Sequence, residues 1–262
     1  MKNEASLILF SSLSESVYVT ARVSRGVDIE DVQKELGDKS KVSRLVETII
    51  SVGHLACTEH YTCFVPSHVF FSEFEVSQQS PLLSQNPWLS VTEDARYVMC
   101  NPRFLIEYHM NRYGWTYLDA FLFVERTYPV QIGYQKQLRK TLFVSTNIGC
   151  TREMNRHRGL SPLELSTRYL TLSQDDLNFT SELVEERCLA IPDYKALLEE
   201  GYSRDEARDL LPLGTGTKVY YTGFPKSWFH YFGLRRNPKT AHPMIRDLAN
   251  KIYTIFKENN YL

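Results

Sequence analysis

The sequence predicts an α+β fold in one large domain. Three observations lead there. Strand-like and helix-like segments follow one another irregularly rather than in βαβ units, which argues against a doubly wound sheet. No internal repeat or low-complexity tract marks a solenoid or a linker. The 262 residues, 43% hydrophobic and 23% charged, suffice to bury a core without disulfides or metals.

Taken in order, Ser6 to Phe10 reads as a short strand, with Val17 to Ser24 following it. Asp28 to Gly53 has helical spacing, with Val42, Leu45, Val46, Ile49 and Ile50 on one face. His60 to Phe71 is rich in aromatic and β-branched residues and reads as strand. Ser77 to Pro87 is polar and turn-rich, a loop. Ala95 to Cys100 reads as strand and Pro102 to Arg112 as a short helix. Thr141 to Ser145 is a further strand, and from Thr146 or Asn147 a helix runs into Arg156. Ser161 and Glu164 form a capping-box pattern with Pro162 at the first helical position. Ser203 and Glu206 form another, and Leu211-Pro212 ends that helix. Lys218 to Thr222 has strand character. Pro225 opens a helix to about Leu234, and Pro243 opens a last one with Ile245, Leu248, Ala249, Ile252 and Phe256 inward.

Composition narrows the function classes. A net charge of −1 gives no global field for nucleic acid or an anionic membrane, so neither is expected as a partner. Anion binding must then come from local arginine clusters. The cysteines, Cys57, Cys63, Cys100, Cys150 and Cys188, are odd in number and lack a C-x-x-C pair, which fits a reducing cytoplasm. The apolar stretch Leu7 to Phe10 is too short for a signal or a span. His54, Cys57, His60 and Cys63 recur every three residues, but one helix face cannot wrap a tetrahedral ion, so no metal is expected.

The densest chemistry lies in Arg156, His157, Arg158, Ser161, Glu164, Ser166, Arg168 and Tyr169. A bare arginine run fits a solvated helix with salt bridges. The interleaved hydroxyls and a helix N-terminus beside them add donors suited to phosphate oxygens, and spacing alone leaves both readings open. Glu153 and Arg156, if they share a helix, lie on one face. Trp228, Tyr231, Phe232 and Arg235 also share a face; the rings suit the core, whereas an inward arginine needs a polar or anionic partner.

The order R-H-R-x-x-S-x-x-E-x-S-x-R-Y resembles the signature of the flavin-dependent thymidylate synthases, the ThyX family. Further blocks are similar to that family: Thr20 to Ser24 (its A-R-V-S), Gly53-His54 with Glu59-His60, Glu206 to Arg208 with Leu211-Pro212, and Trp228 to Arg235 with Ala241-His242-Pro243. The stretch from His60 to Arg156 is longer than in compact members and resembles a longer-chain branch, so an inserted region is expected at about 77–140 of a single domain spanning 1–262.

The resemblance implies a ThyX-like fold, a central mixed or antiparallel sheet packed with helices and active sites at the subunit interfaces of a homotetramer. It implies reductive methylation of dUMP to dTMP, with FAD as cofactor and NADPH and methylene-tetrahydrofolate as co-substrates. It assigns dUMP binding to Glu153, Arg156, Glu164, Leu165, Ser166, Thr167, Arg168, Arg208 and Arg235. It assigns FAD binding to His54, Glu59, Arg156, His157, Arg158, Glu164, Lys226 and His230. Arg235 and Arg156 would be catalytic, Arg235 at the uracil edge, favouring charge at N3, and Arg156 between uracil and flavin. Glu153 stands where compact members often have Gln. Phe224 stands where Asn is common and Ala56 where a small hydroxyl residue is common, changes that remove flavin hydrogen bonds. Leu163 replaces a common polar residue. These departures motivate two alternatives, a different C5 product such as hydroxymethyl-dUMP, and a nucleotide-binding homologue without catalysis.

Overall fold

The computed structural model describes residues 3–77, 80–168, 170–173, 176, 188 and 190–262. The fold is α+β, built on two antiparallel sheets. The larger joins β1 (Glu4–Ile8), β5 (Lys140–Asn147), β7 (Gly216–Gly223) and β6 (Ser161–Glu164), in the order β1-β5-β7-β6. The smaller joins β2 (Cys63–Pro66), β4 (Tyr97–Cys100) and β3 (Leu89–Val91).

Side-chain alternation along the large sheet explains the two cores. Phe143, Leu163 and Tyr220 point to one face, toward α1 (Leu13–Ser24), α3 (Lys39–Ser51), α6 (Pro102–Tyr113) and α7 (Tyr117–Thr127). Leu142, Val144, Val219 and Tyr221 point to the other. There α11 (Pro225–Arg235) brings Trp228, Tyr231 and Phe232, and α12 (Pro243–Glu258) brings Ile245, Leu248, Ala249, Ile252 and Phe256. Both helices begin at a proline, as the sequence predicts. The remaining described helices are α2 (Ile29–Glu35), α4 (Ser67–Glu73), α5 (Pro81–Gln85), α8 (Ile148–Met154), α9 (Ala190–Glu199) and α10 (Arg204–Ala207). Among the described residues no helix is long and apolar enough to cross a membrane.

Several elements differ from their sequence reading, each for a physical reason. Val17 to Ser24 belongs to α1: Ser12 caps it, and nearly its whole circumference is buried, so its β-branched residues pack inward rather than pair. Asp28 to Gly53 is two helices, with Asp38 capping the second through the N–H groups of Ser40 and Lys41. His60 to Phe71 is strand only over Cys63–Pro66 and then turns into α4. The loop Ser77 to Pro87 contains the short α5. The pattern at Ser161 and Glu164 is no capping box: these residues form β6, paired along β7 from Ser161 opposite Thr222 to Glu164 opposite Val219. Pro162 is tolerated because β6 is an edge strand. The second pattern, at Ser203 and Glu206, is a true capping box. Tyr169 lies outside the described residues.

One buried cation ties these parts together. Arg139, only 5% exposed, gives Nη1 to the carbonyls of Glu59 (2.5 Å) and Tyr61 (3.2 Å). Its Nη2 reaches Ser161 Oγ (2.9 Å) and the Thr222 carbonyl (3.3 Å). Burial pulls its pKa down to about 10. Replacing Arg139 with Met strands three buried carbonyls at about 1–3 kcal/mol each. The expected loss is roughly 3 kcal/mol, or roughly 6–12 °C in Tm; Arg139→Lys, which cannot span all four oxygens, recovers part of it. Chemical and thermal denaturation of the two variants checks this, and an unchanged melt for the Met variant would refute the bridging role.

Candidate active site

The arginine-rich segment is a tight loop between α8 and β6. Asn147 caps α8 through the Cys150 N–H, and the loop closes on itself with His157 N–H to the Met154 carbonyl and Leu160 N–H to the His157 carbonyl. Arg156 therefore lies beyond the helix rather than on one face with Glu153. Gly159 permits the loop's approach to its neighbours. A Cβ there would sit 2.3 Å from Ser227 Oγ and 3.2 Å from the Pro87 ring.

This packing creates a cleft of about 430 Å³ that gathers Arg156, His157, Arg158, Lys226 and His230. Five of the positions implied for FAD thus come together from two distant stretches. Gln85 and Pro87 of the 77–140 region form the opposite wall; the sequence marks Asn86-Pro87 as similar to the longer-chain branch but gives neither Gln85 nor Pro87 a place in the site. The turn character of Asn86-Pro87 is the local signal that points there. Lys226 fastens that wall, its Nζ donating to the carbonyls of Asn86 (3.0 Å) and Leu89 (3.1 Å). Burial lowers its pKa.

A second cleft, of about 230 Å³, joins the A-R-V-S segment to the signature. Ala21 and Ser24 meet His54 and Ala56, and opposite them stand Glu164, Ser166 and Arg168. The signature is anchored here by backbone bonds, Ser166 N–H to the Ser24 carbonyl and Leu165 N–H to the Lys218 carbonyl, at 2.9 and 2.8 Å. Glu164 accepts from Thr151 Oγ1 at 3.1 Å, and burial raises its pKa. Cys57 also lines this cleft, but burial pushes its thiol up to about 11, so it holds no thiolate there.

The remaining positions stand elsewhere on the chain. Arg235 turns inward and finds the anionic partner its burial requires. Nη1 donates to Glu153 Oε2 (2.7 Å), Nη2 to the Glu153 carbonyl (3.1 Å) and Nε to His157 Nε2 (2.9 Å). Accepting from Arg235 fixes His157 as a neutral ring with its proton on Nδ1. Burial, Arg235 and His230 bring its pKa down to about 4. Glu59 faces a separate cleft of about 270 Å³, paired with Arg103 at 2.9 Å and accepting from Asn101 at 3.4 Å. Arg208 pairs with Asp205 at 3.5 Å and lines none of these clefts. Thr167 lies in the turn after β6. Phe224 is buried, packed with Phe64 and Met99. Its side chain is part of the core under β2 and β4, which is why an amide is absent there.

Comparisons with known proteins bear on this arrangement. A family model described as "Thymidylate synthase complementing protein" matches residues 136–259. A probable flavin-dependent thymidylate synthase of Paramecium bursaria Chlorella virus 1 is 29% identical over 141 residues, 44% of this chain and 65% of that protein. The flavin-dependent thymidylate synthase of Thermus thermophilus is 32% identical over 138 residues, 44% of this chain and 51% of its own. The chain therefore spans between about half and two thirds of the length of these relatives. A UMP/dUMP methylase, PolB from Streptomyces cacaoi, solved with 5-Br dUMP, superposes loosely over 98% of this chain and 91% of its own. The TM-score is 0.43 at 18% identity.

The neutral state of His157 gives a pH signature. Its folded pKa of about 4 lies below the usual 6.5, so the unfolded chain takes up the proton first. The stability it contributes is present above pH 6.5 and is lost as the pH falls toward 4. His60, held near 3 by burial and then by Arg139, extends the same acid limb. Scanning calorimetry of the wild type and His157→Gln between pH 7 and 4 is expected to show a smaller fall in Tm for the variant. Parallel curves would refute the assignment.

Proposed function

Since the chain belongs to the flavin-dependent thymidylate synthase family, we propose that it methylates dUMP to dTMP, with methylene-tetrahydrofolate as carbon donor and FAD reduced by NADPH. The observation that carries this reading is the convergence of Arg156, His157, Arg158, Lys226 and His230 on one cleft. That donor set fits a flavin nucleotide: two guanidinium groups and an ammonium offset diphosphate charge, and the imidazoles supply flat, partly apolar edges. Reduced FAD, when bound, supplies the hydride.

The chain's own residues bind, orient and exclude water. Arg156 and Arg158 hold anionic groups on the loop, while Gln85 and Pro87 close the far side. Ser166 and Arg168 grip the nucleotide phosphate, with Arg208 assisting. Glu164, Leu165 and Thr167 shape the same stretch, and His54 and Glu59 belong to the flavin side. Arg235 acts as an ion pair with Glu153, so its charge near the uracil is partly offset. Ser166 and Arg168 line one cleft of the chain and Glu153 another, a separation that supports sites shared between the subunits of a homotetramer. We read residues 77–140 as an insertion within one domain, and the protein as cytoplasmic.

A second reading keeps the ligands and changes the C5 product, for example to hydroxymethyl-dUMP. The insertion's place in the wall of the arginine cleft and the inward turn of Phe224 favour considering it. Mass spectrometry of the nucleotide product separates the two.

Purified protein is expected to be yellow, bleached by NADPH and recoloured in air, with dTMP formed when dUMP and methylene-tetrahydrofolate are present. Colourless protein that ignores added FAD would overturn the reading. A charge-assisted contact is worth about 1.5–3 kcal/mol, so Arg168→Ala is expected to weaken dUMP binding by roughly 10–100-fold. Isothermal titration of the flavin-loaded protein measures it.

A further inference from the structure

The side chain of Glu59 is gripped by the start of α6. Asn101, the residue that caps α6, accepts the Arg103 N–H on Oδ1 at 2.9 Å and turns Nδ2 toward Glu59 Oε2 at 3.4 Å. Its own N–H donates to the Trp88 carbonyl at 3.2 Å, which fixes the cap to the chain entering β3. Arg103 donates from Nη1 to Glu59 Oε1 at 2.9 Å and from Nε to Glu107 Oε1 at 2.7 Å. Both carboxylate oxygens of Glu59 are thus engaged by residues of the 77–140 region, and one guanidinium spans two carboxylates. The Glu59 side chain is only 19% exposed, and a carboxylate so enclosed is costly without a counter-charge. Its backbone is fixed separately. The Glu59 carbonyl accepts from Arg139, which reaches on to Ser161 where the arginine loop ends.

We propose that Arg103 is a positioning residue for the flavin site: with Asn101 it orients the Glu59 carboxylate and offsets its charge, so that the 77–140 region sets flavin affinity through one ion pair. The inference rests on the function proposed above, in which Glu59 belongs to the flavin side. It adds two residues to which the family resemblance gives no part. The charges give the effect its direction. Glu59 and Glu107 bring two negative charges to their cleft and Arg103 one positive charge. A flavin dinucleotide brings a diphosphate. Without Arg103 an unmatched carboxylate repels it, and Glu59, released from the guanidinium, loses its fixed orientation. With Arg103 in place the carboxylate is matched, and each oxygen keeps a lone pair for a further donor. An ammonium at this position keeps the charge but cannot bridge both carboxylates.

The test is equilibrium titration of FAD into the flavin-stripped full chain, read by quenching of flavin emission. Wild type is compared with Arg103→Ala, Arg103→Lys, Glu59→Gln and the double variant Glu59→Gln/Arg103→Ala. Arg103→Ala is expected to weaken FAD by about tenfold, and Arg103→Lys to recover most of that. The double variant is expected to bind FAD as Glu59→Gln alone does, because the charge that Arg103 offsets is gone. Raising the salt from about 0.1 to about 1 M is expected to narrow the gap between wild type and Arg103→Ala, as screening shortens from about 10 to about 3 Å. A merely structural role for Arg103 moves neither of these last two readouts. The Arg103 side chain is 43% exposed; should Arg103→Ala nevertheless unfold, Arg103→Gln, which keeps the stem and removes the charge, carries the same expectation. If wild type binds FAD and the Ala and Gln variants bind it within about twofold of wild type, this inference is overturned while the proposed function stands. A loss that persists in the double variant overturns it as well. If wild type binds no FAD, both fall.

Discussion

The fold around the site depends on one buried cation. Arg139 is enclosed with its hydrogen bonds directed to neutral oxygens of Glu59, Tyr61, Ser161 and Thr222. An isolated charge in such a place is strongly disfavoured. It persists because four oriented acceptors and the face of Phe224, 5.9 Å away, stand in for water. Around it, His60 Nδ1 meets Thr222 Oγ1 and Thr222 meets Thr141, both at 2.8 Å. A cation beside His60 also keeps that ring neutral. The network fixes where β6 begins on β7, and with it the direction in which the arginine loop leaves α8. It also joins that loop to the 55–60 turn, whose first residues border His54.

Much of this architecture can be read from the sequence, and the exceptions have a common cause. Helices that open on a proline, α6, α11 and α12, fall where the sequence puts them, because local signals and burial agree. Val17 to Ser24 and Ser161 to Glu164 go the other way. In the first, β-branched residues suggest extension, yet the segment lies between the sheet and α3 and is buried nearly all round. In the second, a helix-start pattern is overridden by pairing with β7, which fills an otherwise open sheet edge. Tertiary contact decides both, and a single sequence does not contain the partner.

The site was legible in a similar, uneven way. The signature marked Arg156, His157 and Arg158, and a distant helix supplied Lys226 and His230 to the same cleft. Gln85 and Pro87 carried no chemical signal of their own. Their place follows from how residues 85–89 run: Gln85 and Pro87 face the arginine cleft, whereas Asn86 and Trp88 face the neighbouring one. The short turn that leaves α5 makes one wall serve two clefts, a relation invisible to composition or spacing.

The 77–140 region, which includes this turn, bears on the positions that the sequence resemblance gives to the flavin. Three positions there are engaged by the 77–140 region: Glu59 by Asn101 and Arg103, Lys226 by the carbonyls of Asn86 and Leu89, and Phe224 by Met99. Each engagement spends bonding capacity on holding the region in place. Lys226 has three N–H donors, two of them so used, and Phe224 trades an amide for apolar area in the core. Ser166 and Arg168 have no such neighbour from 77–140 in their cleft. Of the positions that depart from the family pattern, Phe224 meets this region, whereas Ala56 and Leu163 line the cleft of Ser166 and Arg168.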